Sequence, residues 1–172
     1  MQKLFNITNE TDNIVKIELV NGKKHNPLSL ELIKELTNSL IQISSQKKVK
    51  VLIISSEGPG FSAGHDLDEL RKNRNNKKFF NELFNECSNL MQTIMNLPQP
   101  VIAEVCGIAA AAGCQLVASC DLAVASEQAS FMTPGVNIGL FCSTPMVAVS
   151  RNLSRKKIME MLLTGEKLSA KD

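Results

Sequence analysis

The sequence predicts an α/β domain whose parallel strands are joined by helices. Short runs rich in β-branched residues, such as 49–55 and 101–105, are typical of strands buried on both faces of a sheet. They alternate with longer segments whose apolar residues recur at helical spacing, as in 79–97. An order of strand, helix, strand, helix favours parallel strands with right-handed crossovers. Residues 1–172 are expected to form one such core domain.

Composition bounds the class of protein. The 172 residues are 44% hydrophobic, which excludes a disordered chain, and the net charge of +2 gives no preference for nucleic acid. No apolar run approaches the roughly 20 residues that cross a bilayer. The N-terminal 11 residues lack the apolar core of a signal peptide and the pattern of a mitochondrial presequence. We expect neither a membrane span nor a nucleic-acid partner.

The cysteines and histidines do not suggest a metal site. None of the five cysteines forms a C-x-x-C pair, and only His25 and His65 could add imidazole ligands. Most of the cysteines lie among apolar or small residues, where a free thiol packs as a small hydrophobe. We therefore expect no metal and a reducing compartment. The cysteines are Cys87, Cys106, Cys114, Cys120 and Cys142.

The first half of the chain predicts two strands around one helix. Residues 14–20 alternate as a strand, and Asn21-Gly22 is typical of a hairpin turn. Asn26-Pro27 predicts a helix start, with Asn as the cap and Pro at the first helical position, and the apolar face continues to about Ser44. A buried strand at 49–55 follows, and then a Gly/Pro break.

The second half continues the pattern and ends in helices. A polar loop at 72–78 is the best candidate for a mobile or insertion-tolerant segment, and a new helix is expected to begin at 168. The other predicted elements are helices at 66–71, 79–97, 111–119, 145–152 and 155–163, strands at 101–105 and 122–125, and an irregular segment at 131–141.

Two stretches of small residues, 61–67 and 107–116, each follow a predicted strand and open a predicted helix. Small side chains let a ligand approach the backbone closely. A helix N-terminus presents unpaired N–H groups with partial positive charge. Two such corners placed face to face would polarise a carbonyl oxygen or hold an anion.

The chain resembles the enoyl-CoA hydratase/isomerase, or crotonase, superfamily from about residue 14 to its end. Either corner alone would be a weak signal, but five motifs in order are specific. They are HNPLS at 25–29, FSAGHDL at 61–67, the block 100–121, FMTP at 131–134 and LTG at 163–165. The resemblance implies the ClpP/crotonase spiral of ββα turns, assembly into trimers or hexamers, and a mitochondrial rather than a cytoplasmic setting. The C-terminal helical trimerisation region of the family is expected to be absent, so the domain would be truncated at its C-terminal end.

The resemblance also implies a ligand and a site. The ligand is an acyl-CoA thioester of fatty-acid metabolism, with no separate cofactor. Its carbonyl oxygen would lie in an oxyanion hole formed by the backbone N–H groups of His65 and Ala112. Such donors stabilise the enolate that forms when the α-carbon gains or loses a proton. The residues expected to bind substrate or CoA are Asn26, Ala63, Gly64, His65, Asp66, Leu67, Asp68, Ala112 and Gly113.

The chain departs from the family where hydratases carry two catalytic glutamates. These positions hold Gln115, which cannot take a proton near neutral pH, and Gly135, which has no side chain. Three readings stay open: a hydratase-like enzyme with doubtful activity, a decarboxylase of a malonyl-type CoA, and a non-catalytic acyl-CoA-binding or regulatory protein. The decarboxylase hypothesis gives His65 an acid–base role, since the corner at 61–67 resembles the corresponding corner of a decarboxylase of the family. That relative also uses a Tyr, and this chain has none.

Other reactive residues favour structural roles. Asp66, Asp68 and Glu69 occupy the first turn of a predicted helix, where the dipole favours negative charge. Cys114 is expected to pack rather than to act as a nucleophile, and Asp121 to cap an element. Glu104, inside an apolar strand, is either a satisfied buried carboxylate or a neighbour of the pocket.

Overall fold

The computed structural model describes residues 3–172 and contains two sheets with helices packed against them. The strands are β1 (Phe5–Thr11), β2 (Ile14–Leu19), β3 (Val51–Ser56), β4 (Gly60–Ser62), β5 (Val101–Val105), β6 (Ile108–Ala110), β7 (Leu122–Ala125), β8 (Ser130–Met132) and β9 (Leu168–Ser169). The α-helices are α1 (Leu30–Ser44), α2 (Leu67–Lys72), α3 (Lys77–Asn96), α4 (Ala112–Ser119), α5 (Ser143–Val149) and α6 (Arg155–Thr164).

The sheets confirm the predicted parallel α/β class. The larger sheet has the order β1-β2-β3-β5-β7, and only β1 runs antiparallel to its neighbour. The smaller sheet has the order β4-β6-β8-β9, with β9 antiparallel. Successive pairs β3-β4, β5-β6 and β7-β8 each give one strand to the larger sheet and the next to the smaller. The chain therefore advances as a spiral of ββ units with intervening helices.

The main core lies between one face of the larger sheet and the helices α1 and α3. Inward side chains of neighbouring strands, such as Leu52 on β3 and Val101 on β5, are in register and fully buried. The helical spacing of Leu32, Leu36 and Leu40 turns one face of α1 into the same apolar cluster. This rigid layer holds the ends of the strands, from which the candidate site is built.

Several local predictions were wrong because the sequence signals were short or ambiguous. Asn21-Gly22 does not make a hairpin: β2 pairs with β3 in parallel, and a 3-10 turn at Gly22–Lys24 follows it. The hairpin instead joins β1, which was not predicted, to β2. Residues 168–169 are the strand β9 rather than the start of a helix, because they pair with β8.

Two helix boundaries also differ from the prediction. The cap of α1 is Ser29, whose Oγ accepts from the Leu32 N–H at 3.2 Å, and Asn26 has a different role described below. The polar loop shrinks to residues 73–76, because α2 and α3 extend into it and Asn76 caps α3 by accepting from the Phe79 N–H. Its tolerance of insertions stays a prediction.

No helix within residues 3–172 has the length and apolarity to cross a membrane. Over the same residues no group of three or more His, Cys, Asp and Glu side chains is arranged to hold a metal ion.

Candidate functional site

The two small-residue corners meet. The parallel pairing of β4 with β6 aligns the ends of these strands, where the corners begin. Gly64 has a φ of +89°, and a Cβ added to it would lie 3.0 Å from the Ala110 carbonyl oxygen and 3.1 Å from the Ala112 nitrogen. A residue without a side chain is needed here for both conformation and space. The sequence predicted the corners, and the structure brings them into contact.

A second close approach fixes the start of α4. A Cβ at Gly113 would lie 2.3 Å from the Ser62 carbonyl oxygen, so the helix rests directly on the end of β4. Ala111, the residue before α4, has a φ of 49° although it carries a side chain. Its N–H donates to the Met132 carbonyl at 3.0 Å, which holds the turn in place. Such strained residues cost about 1–3 kcal/mol and persist where the surroundings enforce them.

At the junction where the two corners meet, two backbone donors have no acceptor among residues 3–172. Ala112 is the first residue of α4, so its N–H has no partner inside the helix. Within residues 3–172, neither it nor the His65 N–H donates to another backbone or side-chain acceptor. The Gly64 carbonyl, which belongs to the same peptide as the His65 N–H, is occupied, since it accepts from the Leu28 N–H at 2.8 Å. The junction thus offers two free donors and no competing free acceptor at Gly64.

The His65 ring lies in the wall of the site. Its Nδ1 is 3.4 Å from the Leu28 carbonyl oxygen, and the ring meets Phe84 edge to face with centroids 5.6 Å apart. Burial lowers the pKa of His65, and the Leu28 carbonyl opposes that shift only in part. Burial therefore favours the neutral imidazole, which could accept a proton at a ring nitrogen.

The acidic residues after His65 cap α2 rather than form a catalytic pair. Asp66 accepts from the Asp68 N–H at 2.9 Å and from the Glu69 N–H at 3.1 Å. Glu69 also accepts from the Leu30 N–H at 3.0 Å, which ties α2 to α1. The Asp68 carboxylate is exposed and lies 3.7 Å from Lys24. These contacts agree with the structural reading of all three, while contact of Asp66 or Asp68 with CoA stays a prediction.

Asn26 is a buried support beneath the first corner. Its Oδ1 accepts from the Asn21 N–H at 2.8 Å, and its Nδ2 donates to the carbonyls of Glu57 and Gly60 at 2.9 and 2.8 Å. Both amide protons are used, so a ligand would have to reach this residue through its remaining lone pairs or its backbone. The other small or apolar residues predicted to line the CoA channel, Ala63 and Leu67, are exposed beside the site.

The positions of the absent glutamates differ in their surroundings. Gln115 is buried in the first turn of α4, and its Oε1 has no hydrogen-bond partner within residues 3–172. Gly135 is buried where a Cβ would lie 2.3 Å from the Leu140 carbonyl oxygen and 2.8 Å from the Cys142 sulfur. Position 115 could hold a glutamate, which has the same shape as the glutamine there. At position 135 the surrounding loop already occupies the space that a side chain would need.

A cavity of about 270 Å³ lies between α3, α4 and α5 and adjoins the junction of the two corners. Phe84, which touches His65, and Gln115 are shared between cavity and site. The sequence does not predict this cavity, because the walls of the cavity come from three separate helices of the chain. Only the helical stripe of α3 that includes Phe84 and Met91 could have hinted at it.

The other reactive residues that the sequence singled out have structural roles and lie outside the candidate site. Glu104 pairs with Lys16 at 2.9 Å on the part-exposed face of the larger sheet, so it is not a pocket residue. Burial raises the pKa of the Cys114 thiol to about 12, which makes it a packing residue rather than a nucleophile. Asp121 accepts from the Val101 N–H at 2.8 Å and so has the structural role expected of it.

Comparison with known proteins identifies the family. The family model described as Enoyl-CoA hydratase/isomerase matches residues 9–172. The human protein named Enoyl-CoA hydratase domain-containing protein 3, mitochondrial, is 53% identical over 163 residues, which cover 95% of this chain and 54% of that protein. Its namesake in Danio rerio is 51% identical over 164 residues, covering 95% of this chain and 56% of that protein. The chain thus spans about half the length of these curated relatives.

Solved structures share the fold. The crystal structure of human enoyl Coenzyme A hydratase domain-containing protein 3 superimposes with a TM-score of 0.93 at 51% identity, over 98% of this chain and 66% of that one. An enoyl-CoA hydratase from Mycobacterium smegmatis gives a TM-score of 0.95 at 43% identity, over 99% and 66%. The fold is therefore that of solved relatives, and this chain belongs to the enoyl-CoA hydratase/isomerase family.

Proposed function

We propose that this chain binds an acyl-CoA thioester of fatty-acid metabolism, with the thioester carbonyl between the N–H groups of His65 and Ala112. The observation that carries the proposal is the meeting of these two unpaired donors at Gly64, whose added Cβ would lie 3.1 Å from the Ala112 nitrogen. Family membership supports the ligand class. The names of the relatives support a mitochondrial setting, and trimers or hexamers remain the expected assembly.

Two such donors would stabilise an enolate at the thioester. Negative charge moves onto the carbonyl oxygen when the α-carbon loses a proton or a group, and preoriented backbone donors answer that charge without reorganising. One donor of this kind contributes about 10²- to 10³-fold in rate. Since the donors belong to the backbone, this capacity does not depend on the side chains at 115 and 135.

Hydration would be slow or absent in this chain. The reaction needs a group that takes a proton from water and one that delivers a proton to the α-carbon, each worth about 10²- to 10⁴-fold. Gln115 stays neutral and Gly135 offers no side chain. The function that the residues support best is thus binding of the thioester and polarisation of its carbonyl. If no reaction follows from this polarisation, the role is that of a non-catalytic or regulatory acyl-CoA-binding protein.

Decarboxylation of a malonyl-type CoA is the second candidate, and His65 favours it. In that reaction the bond from the α-carbon to the carboxylate breaks, its electron pair enters the thioester enolate, carbon dioxide leaves, and the α-carbon takes up a proton. A His65 imidazole that has taken up a proton from solvent could deliver that proton to the α-carbon and return to the neutral form that burial favours. Unchanged release of carbon dioxide from malonyl-CoA by a His65→Ala variant would exclude this role.

Thermal unfolding with and without butyryl-CoA tests the binding proposal. A ligand that binds only the folded chain raises the transition temperature as its concentration rises. We expect such a rise with butyryl-CoA, and a smaller one with free CoA, which lacks the carbonyl. Equal shifts with both ligands would contradict a role for the two donors, and no shift with either would contradict acyl-CoA binding itself.

A further inference from the structure

The cavity between α3, α4 and α5 has an apolar wall and polar groups at two ends. Its volume is about 270 Å³, close to the lower end of ligand pockets. Near the junction lies Gln115, which is only 7% exposed and whose Oε1 has no partner within residues 3–172. The apolar side chains of the wall are Phe84, Cys87, Met91, Met95, Val147 and Ala148.

Arg151 lies at the other end of the cavity. It is the one charged side chain that lines the cavity among residues 3–172, and no carboxylate of those residues is within 4.0 Å of its guanidinium nitrogens. The next residue, Asn152, donates to the Ala118 carbonyl at 3.0 Å, which places this end of the cavity beside the C-terminal end of α4. An apolar cavity that ends at an unpaired cation is suited to a ligand with an anionic end.

The length of α4 gives the approximate distance from Ala112, at the junction, to the end of the cavity beside Arg151. Ala112 and Ser119 begin and end the helix, so they are separated by about 10 Å at about 1.5 Å per residue. A zigzag chain with carbon–carbon bonds of about 1.5 Å covers that distance with about eight carbons. A thioester held at Ala112 would thus bring the far end of such a chain to the level of Arg151.

We propose that the cavity takes the acyl chain of a CoA thioester that ends in a carboxylate, and that Arg151 pairs with this terminal carboxylate. This inference rests on the proposed function, because the Ala112 end must hold the thioester. A guanidinium matches a carboxylate with two parallel hydrogen bonds, which an acyl chain ending in a methyl group cannot accept. Arg151 would therefore select dicarboxylic over simple acyl groups of equal length.

Calorimetric titration with octanoyl-CoA and suberyl-CoA, its eight-carbon analogue with a terminal carboxylate, tests the inference. The wild-type chain is expected to bind suberyl-CoA about fivefold more tightly, the upper end for an exposed ion pair. Arg151→Gln should abolish that preference and leave the affinity for octanoyl-CoA unchanged. Arg155→Gln, which removes an exposed arginine of α6 that does not line the cavity, is the matched control and should behave as the wild type.

The outcomes separate the inference from the proposed function. Equal affinity of the wild type for both ligands, or a preference that survives in Arg151→Gln, overturns the inference and leaves acyl-CoA binding intact. Absence of binding of either ligand overturns both. If Arg151→Gln does not fold, Arg151→Lys keeps the charge without the planar fork and should retain part of the preference; its full loss or full retention would overturn the bidentate pairing. A changed sedimentation coefficient of a folded variant would instead make the cavity an interface between copies, against the inference.

Discussion

A methyl group added at Gly64 should close the candidate site, whereas one added at Gly139 should leave it open. The two glycines have similar positive φ angles, +89° and +75°. An alanine in the left-handed region costs about 1–2 kcal/mol, so Gly64→Ala and Gly139→Ala should lose comparable stability from the backbone alone. Their surroundings differ, and this difference isolates the effect on the site.

The structure gives the size of that difference. At Gly64 the new Cβ would lie 3.0 Å from the Ala110 oxygen, 3.0 Å from the Ala111 Cβ and 3.1 Å from the Ala112 nitrogen. At Gly139 no atom of residues 3–172 lies within 4 Å apart from its chain neighbours. The methyl group at Gly64 would push the two corners apart beside the Ala112 N–H. Hydrogen bonds to a charged or strongly polarised group contribute about 1.5–3 kcal/mol. Affinity for a thioester should thus fall at least tenfold in Gly64→Ala.

Calorimetric titration with butyryl-CoA measures the affinity, and urea unfolding measures the stability of each variant. We expect both variants to lose stability and only Gly64→Ala to lose affinity. Wild-type affinity in a folded Gly64→Ala variant would refute the assignment of the site to this junction. A loss of affinity in Gly139→Ala of the same size would show that the effect is global rather than local.

Three further predictions follow from single positions. Asn26→Ala should lower the free energy of unfolding by about 3 kcal/mol in urea unfolding, because it leaves buried backbone groups unpaired. A loss below about 1 kcal/mol would contradict the supporting role of the three Asn26 hydrogen bonds. Since burial lowers the pKa of His65, the unfolded chain binds its proton more readily, so the free energy of unfolding should rise with pH between about 5 and 7. His65→Gln should flatten that slope, and an unchanged slope in this variant would contradict the role of His65 in it. Gly135→Glu should destabilise the chain by about 1–3 kcal/mol without producing hydration of crotonyl-CoA, because the loop already fills this space; measurable hydration would show that the loop opens.

The features that the sequence predicted correctly are those encoded by neighbouring residues. Small residues at 61–67 and 107–116 follow buried strands, and this local pattern was sufficient to locate both corners. The alternation of strands and helices likewise fixed the parallel topology. In each case the residues that carry the signal are also the residues that form the feature.

The features that were missed depend on contacts distant in the chain. The three-residue strands β4, β6 and β8 are too short for a periodic pattern and exist because they pair with one another. Asn26 looks like a helix cap until Glu57 and Gly60 are brought beside it. The cavity ending at Arg151 needs three helices to be in place. Pairing and packing between segments decide these features, and no local pattern encodes them.

The proposed function separates two tasks that a thioester enzyme must combine. Carbonyl polarisation depends on backbone N–H groups positioned by Gly64 and by the strained turn at Ala111, and these features are set by strand pairing and packing. Proton transfer depends on side chains, and a single substitution can remove it without moving the backbone. The two missing carboxylates are not equivalent in this respect: Gln115 keeps the shape of a glutamate, whereas the loop of Gly135 has closed over the space. Restoring proton chemistry is therefore possible at 115 alone, and any reaction gained there would be one that needs a single carboxylate.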